Sequence, residues 1–411
     1  MNTPKVPKSL QHLDKDTREK YVEAIERVTG AAKVSGVSRR DLLQIIGGIS
    51  AAAVLSACGT QSSTGSSSGS AGGSPSVLYD GKVFDAKGAV LRLGDWGGFW
   101  QESQTTVLLS QFEKDFNCKV SYDPSWPWQP KFFANGPKNP PFDVTNWNLP
   151  DLIQTATAGD YFDDIATLKA NIPNTKDLWD FAYDNGYGIT YLFSQYGYAY
   201  RTDRVDPAPA KFADFWDDRF AGGKRATFIT SNTLFRIHFV VANAVFGKDE
   251  KDWEAGFKAM EQAMPMKVSD FTGNMMTLLE RGEVDIAVMH DGEVYAGMDK
   301  GLPLGFTYWT ERKPFLDQTK TVSKYSGEVQ KKLAYALIDR STSPEYQNAM
   351  GSIQALRPTN KNAVVPEKLA ARGLTNTADG MKGMWNPDWK SYLEIEDTII
   401  DRVNKIFGTT G

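Results

Sequence analysis

Val90-Leu91-Arg92-Leu93-Gly94-Asp95-Trp96-Gly97-Gly98-Phe99-Trp100-Gln101-Glu102 is the stretch on which the fold turns. Val90–Leu93 reads as a strand, Gly94–Gly98 as a turn-rich loop, and the residues from about Trp100 to Phe116 as a helix. Within that helix Val107, Leu108 and Phe112 fall at helical spacing. Lys119–Tyr122 then reads as a second strand. Strand, glycine loop, helix and strand in that order predict an α/β fold, and such sheets take ligands beyond the carboxyl ends of their strands. The alternation continues downstream. Phe142–Asn146 and Arg225–Ile229 are expected as strands, followed by helices at Leu152–Ala158 and Leu234–Phe246. Met275–Arg281 is expected as a helix leading into the strand Val284–Met289, and Glu328–Asp339 as another helix.

Upstream, Gly59 to Ser76 is almost wholly Gly, Ser, Thr and Ala, which behaves as a flexible coil. Before it, Ser38-Arg39-Arg40-Asp41-Leu42-Leu43 opens an apolar run that ends at Leu55-Ser56-Ala57-Cys58. At 1.5 Å per residue that run is too short to span about 30 Å of hydrocarbon, and its Gly, Ala and Ser content suits a signal better than an anchor helix. The arginine pair reads as a twin-arginine signal. Leu-Ser-Ala-Cys resembles a lipobox, whose cysteine takes a lipid. The expectations are a signal over 1–57, lipidation of Cys58 with a linker over 58–76, and a body that works in the periplasm or at the outer cell surface. Met1–Val37 is long for the front of a signal.

The chain has 411 residues, with 46 Lys plus Arg against 50 Asp plus Glu. That mild acidity offers no basic face for nucleic acid. With Cys58 lipidated, Cys118 has no partner, so no disulfide framework is available and a large core must supply stability. Cys118 itself, beside Phe116 and Val120, is expected as a small buried apolar residue. The three histidines, His12, His238 and His290, are far apart. No metal-ligand spacing, phosphate loop, dinucleotide fingerprint or Gly-x-Ser-x-Gly nucleophile is present. No metal, cofactor or catalytic residue is therefore expected. An exported hydrolase using Glu102 and Asp95 as an acid/base pair is the rival of another class.

Trp96-Gly97-Gly98-Phe99-Trp100-Gln101-Glu102-Ser103-Gln104 resembles the Trp-Gly-Gly-aromatic opening of solute-binding proteins of polyamine-type ABC importers. Similar elements follow in order: Tyr200-Arg201-Thr202-Asp203, Phe212-Ala213-Asp214-Phe215-Trp216-Asp217, Phe220-Ala221-Gly222-Gly223, Glu280-Arg281-Gly282-Glu283-Val284-Asp285-Ile286, Ser343-Pro344-Glu345-Tyr346-Gln347 and Pro358-Thr359-Asn360. The resemblance covers roughly residues 88–400 and rests on collinearity. It implies a two-lobed periplasmic-binding-protein fold (type II) with two crossing segments, near Ile189–Tyr200 and Phe306–Thr321. Lobe 1 would comprise 77–191 and 320–411, and lobe 2 would comprise 200–310. A ligand bridging both lobes would favour the closed state, which an ABC permease reads. The implied partners are a small amine solute, the permease and, through the lipid, a membrane. A monomer is expected.

The resemblance also suggests a site. Trp96 and Phe99 sit on the glycine loop, where Gly97 and Gly98 permit close approach. Trp147 and Tyr196 belong to an aromatic set that serves equally well as core. His290 and Asp291 fall where the family has an aromatic residue and a polar partner, with Tyr295 after them. Phe315 and Asp317 fall where an aromatic-x-Asp holds an amine. The alternative for Asp317 is a solvated turn beside Lys313 and Lys320. Asn232 lies in Thr230-Ser231-Asn232-Thr233, where polyamine binders are acidic and this chain is not. That departure, with His290 in place of an aromatic, leaves open a zwitterionic amine or opine-like solute, with Arg92 or Arg236 meeting a carboxylate. Sugar remains a second ligand class. A ferric site on Tyr196, Tyr198 and Tyr200 is disfavoured, because that spacing lines one strand face.

Overall fold

The computed structural model describes residues 76–408, so the expected signal, Cys58 and all of the linker but Ser76 lie outside the described residues. Strand β1 (Val90–Gly94) alternates as its sequence requires. Leu91 and Leu93 are fully buried, while Arg92 between them turns to Asp143 at 2.6 Å. Gly98, with φ of +62°, makes the turn into α1 (Phe99–Gln104), a left-handed conformation that a side chain would strain. A single π-helical stretch, Thr105–Leu109, joins α1 to α2 (Ser110–Phe116), which stops at Asn117 in the left-handed region. Strand β2 (Lys119–Asp123) follows, then α3 (Gln129–Asn135), β3 (Val144–Trp147), α4 (Leu149–Ala158) and α5 (Ile165–Asn171).

Strand β4 (Ile189–Arg201) organises the molecule. Beyond it come β5 (Arg225–Phe228), α6 (Thr233–Phe246), α7 (Trp253–Ala263), β6 (Lys267–Ser269), α8 (Thr272–Glu280), β7 (Ile286–His290) and α9 (Asp291–Asp299). Then follow β8 (Leu304–Tyr308), β9 (Lys313–Val322), α10 (Glu328–Ser341), α11 (Pro344–Gln354) and the short β10 (Arg357–Pro358). The chain closes with α12 (Glu367–Ala370), α13 (Ala378–Met381), β11 (Met384–Trp385), α14 (Trp389–Glu394) and α15 (Glu396–Phe407).

The strand order is β2-β1-β3-β9-β4-β7-β5-β6, with β8 and β10 on β4 and β11 on β9. Each end is a parallel trio, β2-β1-β3 and β7-β5-β6. Between them the antiparallel pair β9 and β4 runs through. Residues 189–195 of β4 pair with β9, and residues 196–201 pair with β7 and β8. The fold is thus α/β and two-lobed, with one strand serving both lobes in turn.

A core of Leu91, Leu93, Phe112, Phe116, Val144 and the α10 residues Leu333–Ile338 fills the first lobe. Cys118 lies in it, and burial pushes its thiol up to about 11. The second core gathers Phe228, Phe239, Phe257, Ile286 and Val288. One departure concerns the C-terminus, expected with lobe 1. There α15 packs on α7: Phe407 meets Phe235 edge-on, and Arg402 pairs with Glu254 and covers the Phe257 ring.

Candidate functional site

The loops after β1 and β7 and the crossing strands meet at a cavity of about 370 Å3. That lies within the usual range for a small-molecule site, roughly 300–1,000 Å3. Phe99 and Trp100 of α1 form one wall, and Ser352, Ile353 and Gln354 of α11 extend it. Ser194 of β4 with Leu316 and Gln318 of β9 make the floor. His290, Gly292, Glu293 and Tyr295, from the end of β7 and the start of α9, make the opposite wall. Larger hollows of about 480 Å3 beside α4 and α14, and about 510 Å3 along α7 and α15, share no lining residue with it.

The expected residues divide accordingly. Phe99, 62% exposed, His290 and Tyr295 line the cavity. Trp96 stands one bond behind it: its ring packs on Trp128 at 4.7 Å, and its Nε1 donates to Gln318 Oε1 at 2.6 Å. Asp291 lies beneath the wall. Its Oδ1 accepts from the Gln195 backbone at 3.1 Å and its Oδ2 from Tyr308 Oη at 2.9 Å. The Tyr295 and Tyr308 hydroxyls are 2.6 Å apart. Burial holds the Asp291 carboxyl above its ordinary range.

Five expected residues are elsewhere. Trp147 is core, with Nε1 donating to Thr321 Oγ1 at 2.9 Å. Tyr196 is buried and stacks on Trp309. Asn232 caps α6, its Oδ1 accepting from the Leu234 backbone at 2.8 Å. Phe315 packs with Phe181 and Phe193. Asp317 is 2% exposed. One of its oxygens takes the Leu149 backbone N–H at 3.0 Å and the other the Thr319 hydroxyl at 2.6 Å. Burial pushes its carboxyl up to about 7. Neither reading of Asp317, amine clamp or solvated turn, describes it: the side chain closes the start of α4. The arginines considered for a ligand carboxylate are also engaged, Arg92 with Asp143 and Arg236 with Asp151 at 3.1 Å and Glu396 at 2.9 Å.

Beneath the floor lies a polar cluster. Asp95, fully buried, accepts from the Trp96 backbone and from Trp100 Nε1, both at 2.8 Å, from Asn146 Nδ2 at 2.8 Å, and from Gln104 Nε2 at 3.2 Å. Lys320 Nζ is 3.6 Å from Asp95 and 3.7 Å from the centre of the Tyr191 ring. Burial outweighs their attraction, raising the Asp95 carboxyl above its ordinary range and pushing the Lys320 ammonium down to about 8. Asp95 is thus part of the scaffold. Among the described residues no group of three His, Cys, Asp or Glu side chains could hold a metal.

Two parallel trios bridged by antiparallel strands, with a small-molecule cavity at the bridge, define a bilobal binding protein. The chain belongs to the bacterial extracellular solute-binding protein family, whose model matches residues 108–377. As a member of that family it is an extracellular solute-binding protein, with its place in the periplasm or at the cell surface. A solved extracellular solute-binding protein from Bordetella parapertussis is 20% identical, with 77% of this chain and 98% of that one aligned at a TM-score of 0.66. The binding protein MotA from A. tumefaciens B6, solved with glucopine, is 17% identical over 77% of this chain and 99% of its own, at 0.59. PotD, the spermidine/putrescine transporter's binding protein from Streptococcus pneumoniae, is 16% identical over 78% and 99%, at 0.58. These likenesses concern the fold. No curated protein matches the chain. Among the described residues no helix is long and apolar enough to cross a membrane.

Proposed function

We propose that the 370 Å3 cavity receives a small amine solute, which the protein delivers to an ABC permease. The observation that carries this reading is Glu293. Its Oε1 accepts from the Thr272 hydroxyl at 2.7 Å, which leaves its other oxygen for an ammonium. Phe99, Trp100 and Tyr295 supply the apolar and aromatic faces that an alkylammonium prefers. The polyamine expected from the sequence is one member of this class, although Asp291 and Asp317 have their oxygens taken by other donors. That a spermidine/putrescine transporter's binding protein and one solved with glucopine share this fold accords with the class. In this reading the protein is a monomer, exported through Arg39-Arg40 and held to a membrane by a lipid on Cys58.

The test is thermal melting of the purified chain against amines, amino acids, opine-like compounds and sugars. A ligand at 100 times its Kd adds about 2.7 kcal/mol, which raises Tm by a few degrees. A shift confined to amine-bearing compounds, lost in Glu293→Gln, is the expected result. Shifts with sugars alone would discard the amine reading.

A further inference from the structure

Gln318 is 7% exposed, lies on the cavity floor and has an orientation that its neighbours dictate. An indole N–H can only donate, and Trp96 Nε1 sits 2.6 Å from Gln318 Oε1. Asn146 Nδ2 donates to the same oxygen at 3.0 Å and also to Asp95 Oδ1 at 2.8 Å. Asp95 accepts from four groups around it, which turns the Asn146 amide so that its nitrogen faces the carboxylate. The oxygen of Gln318 is therefore held away from the cavity by two donors. Strand alternation places Leu316, Gln318 and Lys320 on one face of β9, and Phe315, Asp317 and Thr319 on the other. Cavity and Asp95 cluster thus share the Gln318 face, while Asp317 belongs to the opposite one.

We infer that Gln318 presents its Nε2 to the cavity as a fixed hydrogen-bond donor, so that the solute carries an oxygen acceptor at one end and its amine at the other. This deepens the proposed function and rests on it. A diamine has no acceptor for that end, and it would bring an ammonium against an N–H. An ω-amino acid or an amino alcohol satisfies both Gln318 and Glu293. The Ser194 hydroxyl and the His290 ring on the same surface add groups that can donate to that oxygen. A site built to donate rejects a ligand that cannot accept, because the buried polar group is then left unmade.

The experiment uses the full chain and isothermal titration with three matched series of two to six carbons: ω-amino acids, amino alcohols and α,ω-diamines. The wild type is expected to prefer the oxygen-ended compounds by about tenfold or more over the diamine of equal length. Gln318→Glu keeps an oxygen for Trp96 and Asn146 and turns the second oxygen to the cavity, so the preference should reverse toward diamines. Gln318→Met, which carries no charge into the floor, should bring the series to within a few-fold of one another. Phe99→Ala, on the exposed rim, should weaken all of them alike. Diamines binding best to the wild type, or an order of preference unchanged in both Gln318 variants, would overturn the inference while leaving the amine site standing. No binding by any of the compounds would overturn the amine reading of the cavity and the inference with it.

Discussion

Asp317 is a carboxyl group held without a cation. Burial pushes it up to about 7, against roughly 3.9 in an unfolded chain. Between those values the folded protein keeps a proton that the unfolded chain has lost, so stability falls as pH rises and levels off above 7. Asp317→Asn removes that titration. Relative to the wild type, the variant should gain about 3 kcal/mol between pH 5 and pH 8, at roughly 1.4 kcal/mol per unit. Urea unfolding at the two pH values measures it, and a gap that stays constant would refute it. The same residue shows where sequence reading stops. Lys313–Val322 is apolar or buried on both faces along nearly its whole length, so hydrophobic alternation does not say which face meets the cavity. Phe315 and Asp317, singled out by the family pattern, lie on the face of β9 opposite Leu316 and Gln318, which line the cavity. Gln318 and Glu293 carry no motif at all, and only the folded neighbours single them out. Trp147 and Tyr196 are large aromatics for which core was always the competing role, and core prevailed.

At the level of elements much more was legible. The β1 strand, the glycine turn and the helix after it stand where strand and helix periodicities put them, because each has one clearly apolar side. The expected crossing near Phe306–Thr321 is two strands, β8 and β9, broken at Trp309–Arg312. What no local pattern reveals is the tie between α4, α6 and α15. Arg236 of α6 lies between Asp151 and Glu396, its side chain 10% exposed and theirs 8% and 11%. A buried cation shared by two carboxylates stabilises little by itself, but its removal leaves two uncompensated acids. Arg236→Met should therefore cost about 3–5 kcal/mol in denaturant unfolding, far beyond an exposed pair such as Lys82 with Asp80. A loss under 1 kcal/mol would show that the acids find water or protons instead.

At the scale of the whole molecule, the proposed lipid on Cys58 would hold the body at a membrane surface. Cys58→Ala should move the protein from the membrane fraction to the soluble one after cell fractionation, and retention in the membrane would refute the lipid. Within the described residues the two ends of the chain part company. Leu78 and Tyr79 are held by Asn171 Oδ1 at 2.6 and 3.2 Å, in the lobe of β1, whereas α15 rides on α7 in the lobe of β5. Fluorophores placed near Lys82 and Gly408 would thus report the distance between lobes by energy transfer, making the protein a sensor of its own solute without any circular permutation.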